Sequence, residues 1–210
     1  MEYVLPATPF RVKGLVYSAT RGYFDTSLRV GYDALLTALP TPLRDFMEQP
    51  FVSGSHYEVM LMPDLIGYEA RVAGVSQEVY LRARTRWQAE KDLGGVYKLI
   101  ARVAPPSVVV RRVMVLLPQI LNFGSAHLTS ERSSQLGVEL RHIPIPLVAW
   151  LERVVVVYAQ TCLEFAQARG VRISVLPRSP GPMNQGYPTM SLHFEVRWGA
   201  ATLPSKSAPS

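Results

Sequence analysis

The chain has a single cysteine, Cys162, which rules out an internal disulfide. It has only four histidines, His56, His127, His142 and His193, and none stands at H-x-x-x-H spacing from another. A local imidazole pair for a metal ion is therefore missing. Lysine is scarce: Lys13, Lys91, Lys98 and Lys206 are the only ones among 22 basic residues. No window offers the roughly 18 uninterrupted apolar residues of a membrane span. The nearest candidate, Ile143 to Tyr158, is broken by Glu152 and Arg153. Met1 to Phe10 lacks the basic-then-apolar pattern of a signal peptide, so a soluble cytoplasmic protein is expected. There is no G-x-S-x-G elbow and no phosphate-cradling glycine loop, and Gly94-Gly95 is too short for one. The expectation is no metal, no cofactor and no enzymatic site.

What is present is apolar. Of 210 residues, 48% are hydrophobic and 18% charged, enough for a sizeable core. The formal net charge is +6, but the arginines are spread along the chain. A nucleic-acid partner would require them on one stripe or arm, and none is expected. Glu78, Arg82, Arg86 and Glu90 follow at four-residue spacing, which on a helix gives a mutually paired, solvated face. Arg111 and Arg112 are better candidates for contact with an anionic partner.

Arg11 to Ser18 reads as a short strand. Tyr23 to Leu39 reads as a helix, with Leu28, Tyr32, Leu35, Leu36 and Leu39 at helical spacing. Pro40 and Pro42 stop it, and a turn of helix follows over Leu43 to Gln49. His56 to Met62 is a strand or a buried connector, and Leu65 to Val72 a short helix. Ser76 caps a helix over Gln77 to Lys91, and Val96 to Ala104 supplies a further turn or two. For Val108 to Phe123 the β-branched run favours a strand. The spacing of Val109, Val113, Leu116, Leu117, Ile120 and Leu121 favours a helix capped by Ser107, and we take the helix. Pro118 kinks it or starts a new turn.

Gly124 to Arg132 and Gln135 to Ile143 read as a hairpin. Leu136, Val138 and Leu140 lie on one face, Glu139 and Arg141 on the other. The most telling segment is Pro146 to Ala168, a helix apolar on nearly every side except the stripe Arg153, Gln160, Glu164 and Gln167. A helix of that kind needs cover, here a curved sheet. Val171 to Val175 alternates as a strand, and Pro177 to Pro188 reads as a loop. In the last strand Met190, Leu192, Phe194, Val196 and Trp198 face inward.

Chemistry-bearing residues do not converge. Cys162 sits mid-helix, away from the helix N-terminus that would stabilise a thiolate, and reads as a small buried hydrophobe. His127 and His142 are placed to meet across the hairpin. Glu152 is expected at a helix rim. The aromatic residues Trp87, Tyr97, Phe123, Trp150, Tyr158, Phe165, Phe194 and Trp198 are core or cavity residues.

Short motifs carry a resemblance: V-K-G near Val12, A-L-P at Ala38 to Pro40, S-G-S-H-Y at Ser53 to Tyr57 and D-L-G-G-V-Y at Asp92 to Tyr97. P-P-S-V-V-V-R-R at Pro105 to Arg112 and H-F-E-V-R-W at His193 to Trp198 complete the set. With these the chain resembles a family of paralogous proteins of unknown function, of similar length, expanded in myxobacteria. Its second half is also similar to the wider vinyl-four-reductase, haem-NO-binding-like and TRAPP-like superfamily. That resemblance implies a helix pair, strands, a long helix and terminal strands, with a role in binding small molecules or lipid chains, dimerisation or signalling. Members often carry cysteines near the last strand pair, where this chain has Met190 and a Pro-Gly stretch, so a cysteine-based metal or redox role is not carried over. Nor is haem ligation, since no histidine is placed on a helix facing a pocket.

The expected fold is α+β. A mainly helical N-terminal part, residues 1–75, packs on a ligand-binding-like core, residues 76–198, built of antiparallel sheet plus a long buried helix. A disordered tail, residues 199–210, follows. The expected function is non-enzymatic regulation or signalling through an apolar pocket for a small hydrophobic ligand. Its lining would be Val109, Val113, Leu117, Trp150, Val154, Tyr158, Cys162, Phe194 and Trp198. The alternative is a protein–protein interaction module with a packed core and a dimerising apolar surface. A homodimer or a protein partner is expected under either reading.

Overall fold

The computed structural model describes residues 3–94 and 104–199. The expected turns over Val96 to Ala104, Tyr97 and most of the expected tail lie outside the described residues.

The fold is α+β, as expected. Two short strands, β1 (Arg11–Lys13) and β2 (His56–Glu58), pair antiparallel and bracket three helices: α1 (Leu15–Ser27), α2 (Gly31–Ala38) and α3 (Thr41–Glu48). Then come α4 (Met62–Val72) and α5 (Gln77–Asp92). The Ser76 hydroxyl caps α5 by accepting from the Val79 amide at 3.3 Å. Glu78–Arg82 and Arg86–Glu90 pair along its exposed face, as the spacing predicts.

The N-terminal boundaries differ from the sequence reading. The strand expected over Arg11 to Ser18 stops at Lys13 because Gly14 lies against the chain at Val52. A Cβ on Gly14 would stand 2.3 Å from the Val52 carbonyl oxygen. The helix expected over Tyr23 to Leu39 is two helices, divided at Leu28–Val30 with Gly31 at φ 70°. Tyr32, Leu35 and Leu39 still share the buried face.

Helix α6 (Pro106–Ile120) leads into a four-stranded antiparallel sheet of order β3-β4-β6-β5. Its strands are β3 (Ser125–Arg132), β4 (Gln135–Pro144), β5 (Arg172–Asn184) and β6 (Tyr187–Arg197). Pro105, not Ser107, occupies the cap position of α6, with Pro106 in its first turn, where a missing N–H costs nothing. His127 lies opposite Glu139 in the β3–β4 register, so it does not meet His142. The stretch expected as a loop over Pro177 to Pro188 is mostly strand. β5 is an edge strand, so Pro177, Pro180 and Pro182 need not donate into the sheet. The hairpin closes in two residues, Gln185 (φ 49°) and Gly186 (φ 83°), between the paired Asn184 and Tyr187.

Helix α7 (Val148–Phe165), entered through the turn Ile145–Leu147, runs across the inner face of the sheet and alongside α5. Ile145–Phe165 is long and apolar enough to cross a membrane by length and composition. In this fold it is a core helix, with Trp150, Leu151, Ala159, Cys162 and Leu163 buried. Its middle is less covered than its composition suggests: Val154 to Tyr158 are all half-buried. Arg153, Gln160 and Glu164 form the exposed stripe, as expected. Glu152 is mostly buried at the rim, held by Arg178 through two bonds of 2.9 Å.

A continuous apolar cluster runs from the N-terminal segment to the sheet. Phe10, fully buried, meets Phe123 and Tyr187 edge-on at 5.5 and 5.2 Å. Burying such a ring contributes about 2–3 kcal/mol over leaving it exposed. Asn122 adds a polar tie, accepting from the Arg11 amide at 2.7 Å and donating to the Pro9 carbonyl at 2.9 Å.

Candidate functional site

Three elements enclose an apolar cavity. From α6 come Val110, Val113, Met114 and Leu117, spaced so that one helical face points inward. Strand alternation supplies Val138 and Leu140 from β4, Ile173 from β5, and Phe194 and Val196 from β6. The register sets Val138 beside Phe194, and Ile173 beside Val196. Val155 and Ala159, one turn apart on α7, complete the wall. Ala159 is the smallest of these side chains, and the space is open in part because it does not fill its place. Measured by the centre of a water-sized sphere, the free volume is about 40 Å³. Among the described residues no lining side chain is titratable.

Of the nine residues expected at a pocket, Val113, Leu117 and Phe194 line this cavity. Val109 is buried one position away from Val110. The α7 set is rotated: Val155 and Ala159 face the space, while Trp150, Val154, Tyr158 and Cys162 do not line it. Trp198 is buried beyond the end of β6.

Tyr158 and Cys162 belong instead to a polar seam between α5 and α7. The Tyr158 hydroxyl donates to Asp92 Oδ2 at 3.0 Å, and Gln88 Nε2 donates to Asp92 Oδ1 at 2.6 Å. Burial, with the Asp92 charge second, pushes the Cys162 thiol up to about 12. That is an inert thiol, as the sequence suggested.

The expected anionic contact divides. Arg111 is engaged by Glu131 across to β3, while Arg112 is exposed beside it with no ion-pair partner among the described residues. The histidines stay apart from the cavity. His127 and His193 hydrogen-bond Ser125 and Ser179, each at 2.9 Å. Among the described residues no cluster of histidine, cysteine and carboxylate groups is arranged to hold a metal ion.

No family model matches the chain, and no curated protein does. Solved structures do. An Fe(II) unliganded H-NOX protein from K. algicida aligns over 91% of this chain and 98% of its own, at 10% identity and a TM-score of 0.59. A doubly substituted Tt H-NOX aligns over 93% and 100%, at 9% identity and a TM-score of 0.60. The chain has the H-NOX fold. A singly substituted H-NOX of T. Tengcongensis agrees, at 7% identity, 91% and 100% coverage and a TM-score of 0.55. Within the H-NOX-like fold, the cavity lies where α6 and α7 meet the inner face of the sheet.

Proposed function

We propose that this chain is a non-enzymatic regulatory or signalling domain of H-NOX-like fold that binds a small uncharged hydrophobic molecule in the cavity between α6, α7 and the sheet. The observation that carries this reading is the lining: among the described residues every side chain around the space is apolar. Such a site stays dry and favours a ligand without charge or hydrogen-bonding groups. Residues 76–198 would act as the ligand-binding-like part and residues 1–75 as its helical cover, in a cytoplasmic protein.

The H-NOX neighbours raise the question of haem, and the residues here do not fit it. Haem iron takes an axial His, Cys, Met or Tyr. Of the lining residues only Met114 carries a donor atom, a thioether. The sequence has no histidine at all between His56 and His127, so α6 cannot offer an imidazole. Among the described residues no cation lines the cavity to meet a propionate, and a free volume of about 40 Å³ is far below a macrocycle. An apolar cavity that admits benzene or xenon is about 150 Å³, so the preferred ligand belongs at the small end of that class.

Occupancy would act by favouring one packing of the cavity walls, and so one affinity for a partner. α6 is the wall least committed to the core, with only Val109 and Val110 of its residues buried.

A second reading, a protein-interaction module that self-associates or docks a partner, draws on the exposed Val108 and Val115 of α6. In that reading Arg112 would meet an anionic group on the partner. Native mass spectrometry of the purified chain, followed by denaturing extraction, tests the first reading. It expects a small hydrophobic mass released on denaturation, or uptake of one supplied. A chain that carries none and takes up none contradicts it.

A further inference from the structure

The other side of α7 forms a second feature, which shares no residue with the cavity. Glu152, Arg153, Val156 and Val157 make one wall of an open groove; Glu78, Leu81 and Arg82 of α5 make the other, and Val175 of β5 also lines it. By the same measure as the cavity the groove holds about 200 Å³. The chain carries a net charge of +6, yet this groove is balanced, with two arginines and two glutamates around four apolar residues. Val175 is 46% exposed, and Val156 and Val157 are only half-buried.

The charges are unevenly used. Glu152 is held in two bonds by Arg178. Glu78 meets Arg82 only at 3.7 Å, with both side chains about two-thirds exposed. Such a loose surface pair contributes little. Arg153, on the opposite wall, is exposed and has no ion-pair partner among the described residues.

We propose that this groove is the contact between two copies of this chain related by a two-fold axis, Arg153 of one copy meeting Glu78 of the other. A two-fold contact is built from one patch used twice, so the patch must complement itself. An unpaired cation on one wall and a loosely held carboxylate on the other meet that requirement, because turning the second copy over brings wall against opposite wall. The exposed Val175 and the half-buried Val156 and Val157 supply apolar area to be covered. A surface for nucleic acid would carry one sign of charge instead. The contact stands on the groove alone and needs no ligand in the cavity, which the mass measurement tests separately.

The test is sedimentation of the full chain over a wide concentration range. Wild type is expected to dimerise. Arg153→Glu and Glu78→Arg, both at exposed positions, are each expected to weaken the dimer by about tenfold or more through the like charges they bring together. Mixing the two variants is expected to restore association, since each then meets its opposite, and the double exchange Glu78→Arg/Arg153→Glu should dimerise by itself. A wild type that stays monomeric, variants that dimerise as wild type does, or a mixture that remains monomeric would each overturn the proposal.

Discussion

Glu69 carries a carboxyl into the helical core with half of its capacity unmet. It is fully buried; Oε1 accepts from the Thr20 hydroxyl at 2.9 Å, while Oε2 has only the buried Tyr80 hydroxyl nearby, short of a well-formed hydrogen bond. Arg84 lies in the same layer, donating to the Val16 carbonyl at 2.6 Å and to the Thr20 hydroxyl at 3.1 Å. Burial raises the Glu69 pKa above its ordinary 4.5, while Arg84 and the Thr20 bond pull it back. A carboxyl with a raised folded pKa adds stability below its unfolded value and loses it as the pH climbs through the folded one. The wild type is therefore expected to lose stability as pH rises out of the acid range, and Glu69→Gln to lack that part of the slope, read from urea midpoints against pH. An unchanged slope would contradict this. Removing the Arg84 charge, as Arg84→Met, is expected to raise the Glu69 pKa further and to carry the loss of stability to higher pH, read from the same urea midpoints. Cys162 gives a second residue-scale outcome: alkylation at mildly alkaline pH should be slow in the native chain and fast in denaturant, because burial keeps the thiol protonated. Fast labelling of the native form would refute the buried placement. Neither the Glu69–Arg84 layer nor the Tyr158–Asp92 contact was legible in the sequence, because each joins residues from separate helices and follows no spacing rule.

At the scale of elements, the sequence was readable wherever a period was strong. The alternation in Leu136–Val138–Leu140 and in Leu192–Phe194–Val196 announces β4 and β6 correctly, and Ser76 marks the start of α5. It misled where tertiary context decides. The prolines of β5 suggest a loop in isolation, yet an edge strand tolerates them. The apolar α7 suggests cover on all sides, yet its middle is left half-buried. The pocket residues expected on α7 are one position off, because an all-apolar helix gives no phase from its own sequence and only Ala159 signals where space is left. The turn between β5 and β6 offers a prediction at this scale. Gly186 holds φ at 83°, so Gly186→Ala is expected to destabilise the fold by about 1–2 kcal/mol in thermal or urea unfolding. A neutral effect would mean that the turn adopts another conformation in solution.

For the whole molecule, the α+β layering does two things at once. The sheet and α6 close over one side of α7 and leave an apolar space, while the other side of α7 and α5 leave a balanced open groove. The fold is shared with H-NOX proteins, while α6 lines the cavity with Val110, Val113, Met114 and Leu117 and no imidazole. The most direct test is methyl NMR of Met114 and Ala159 in the native chain under xenon or a small hydrocarbon. The account predicts saturable shifts at both methyls, with the Met114 shift lost in Ala159→Leu, where the larger side chain fills the space. Unchanged methyl signals in the wild type, or an equal Met114 shift in Ala159→Leu, would contradict it.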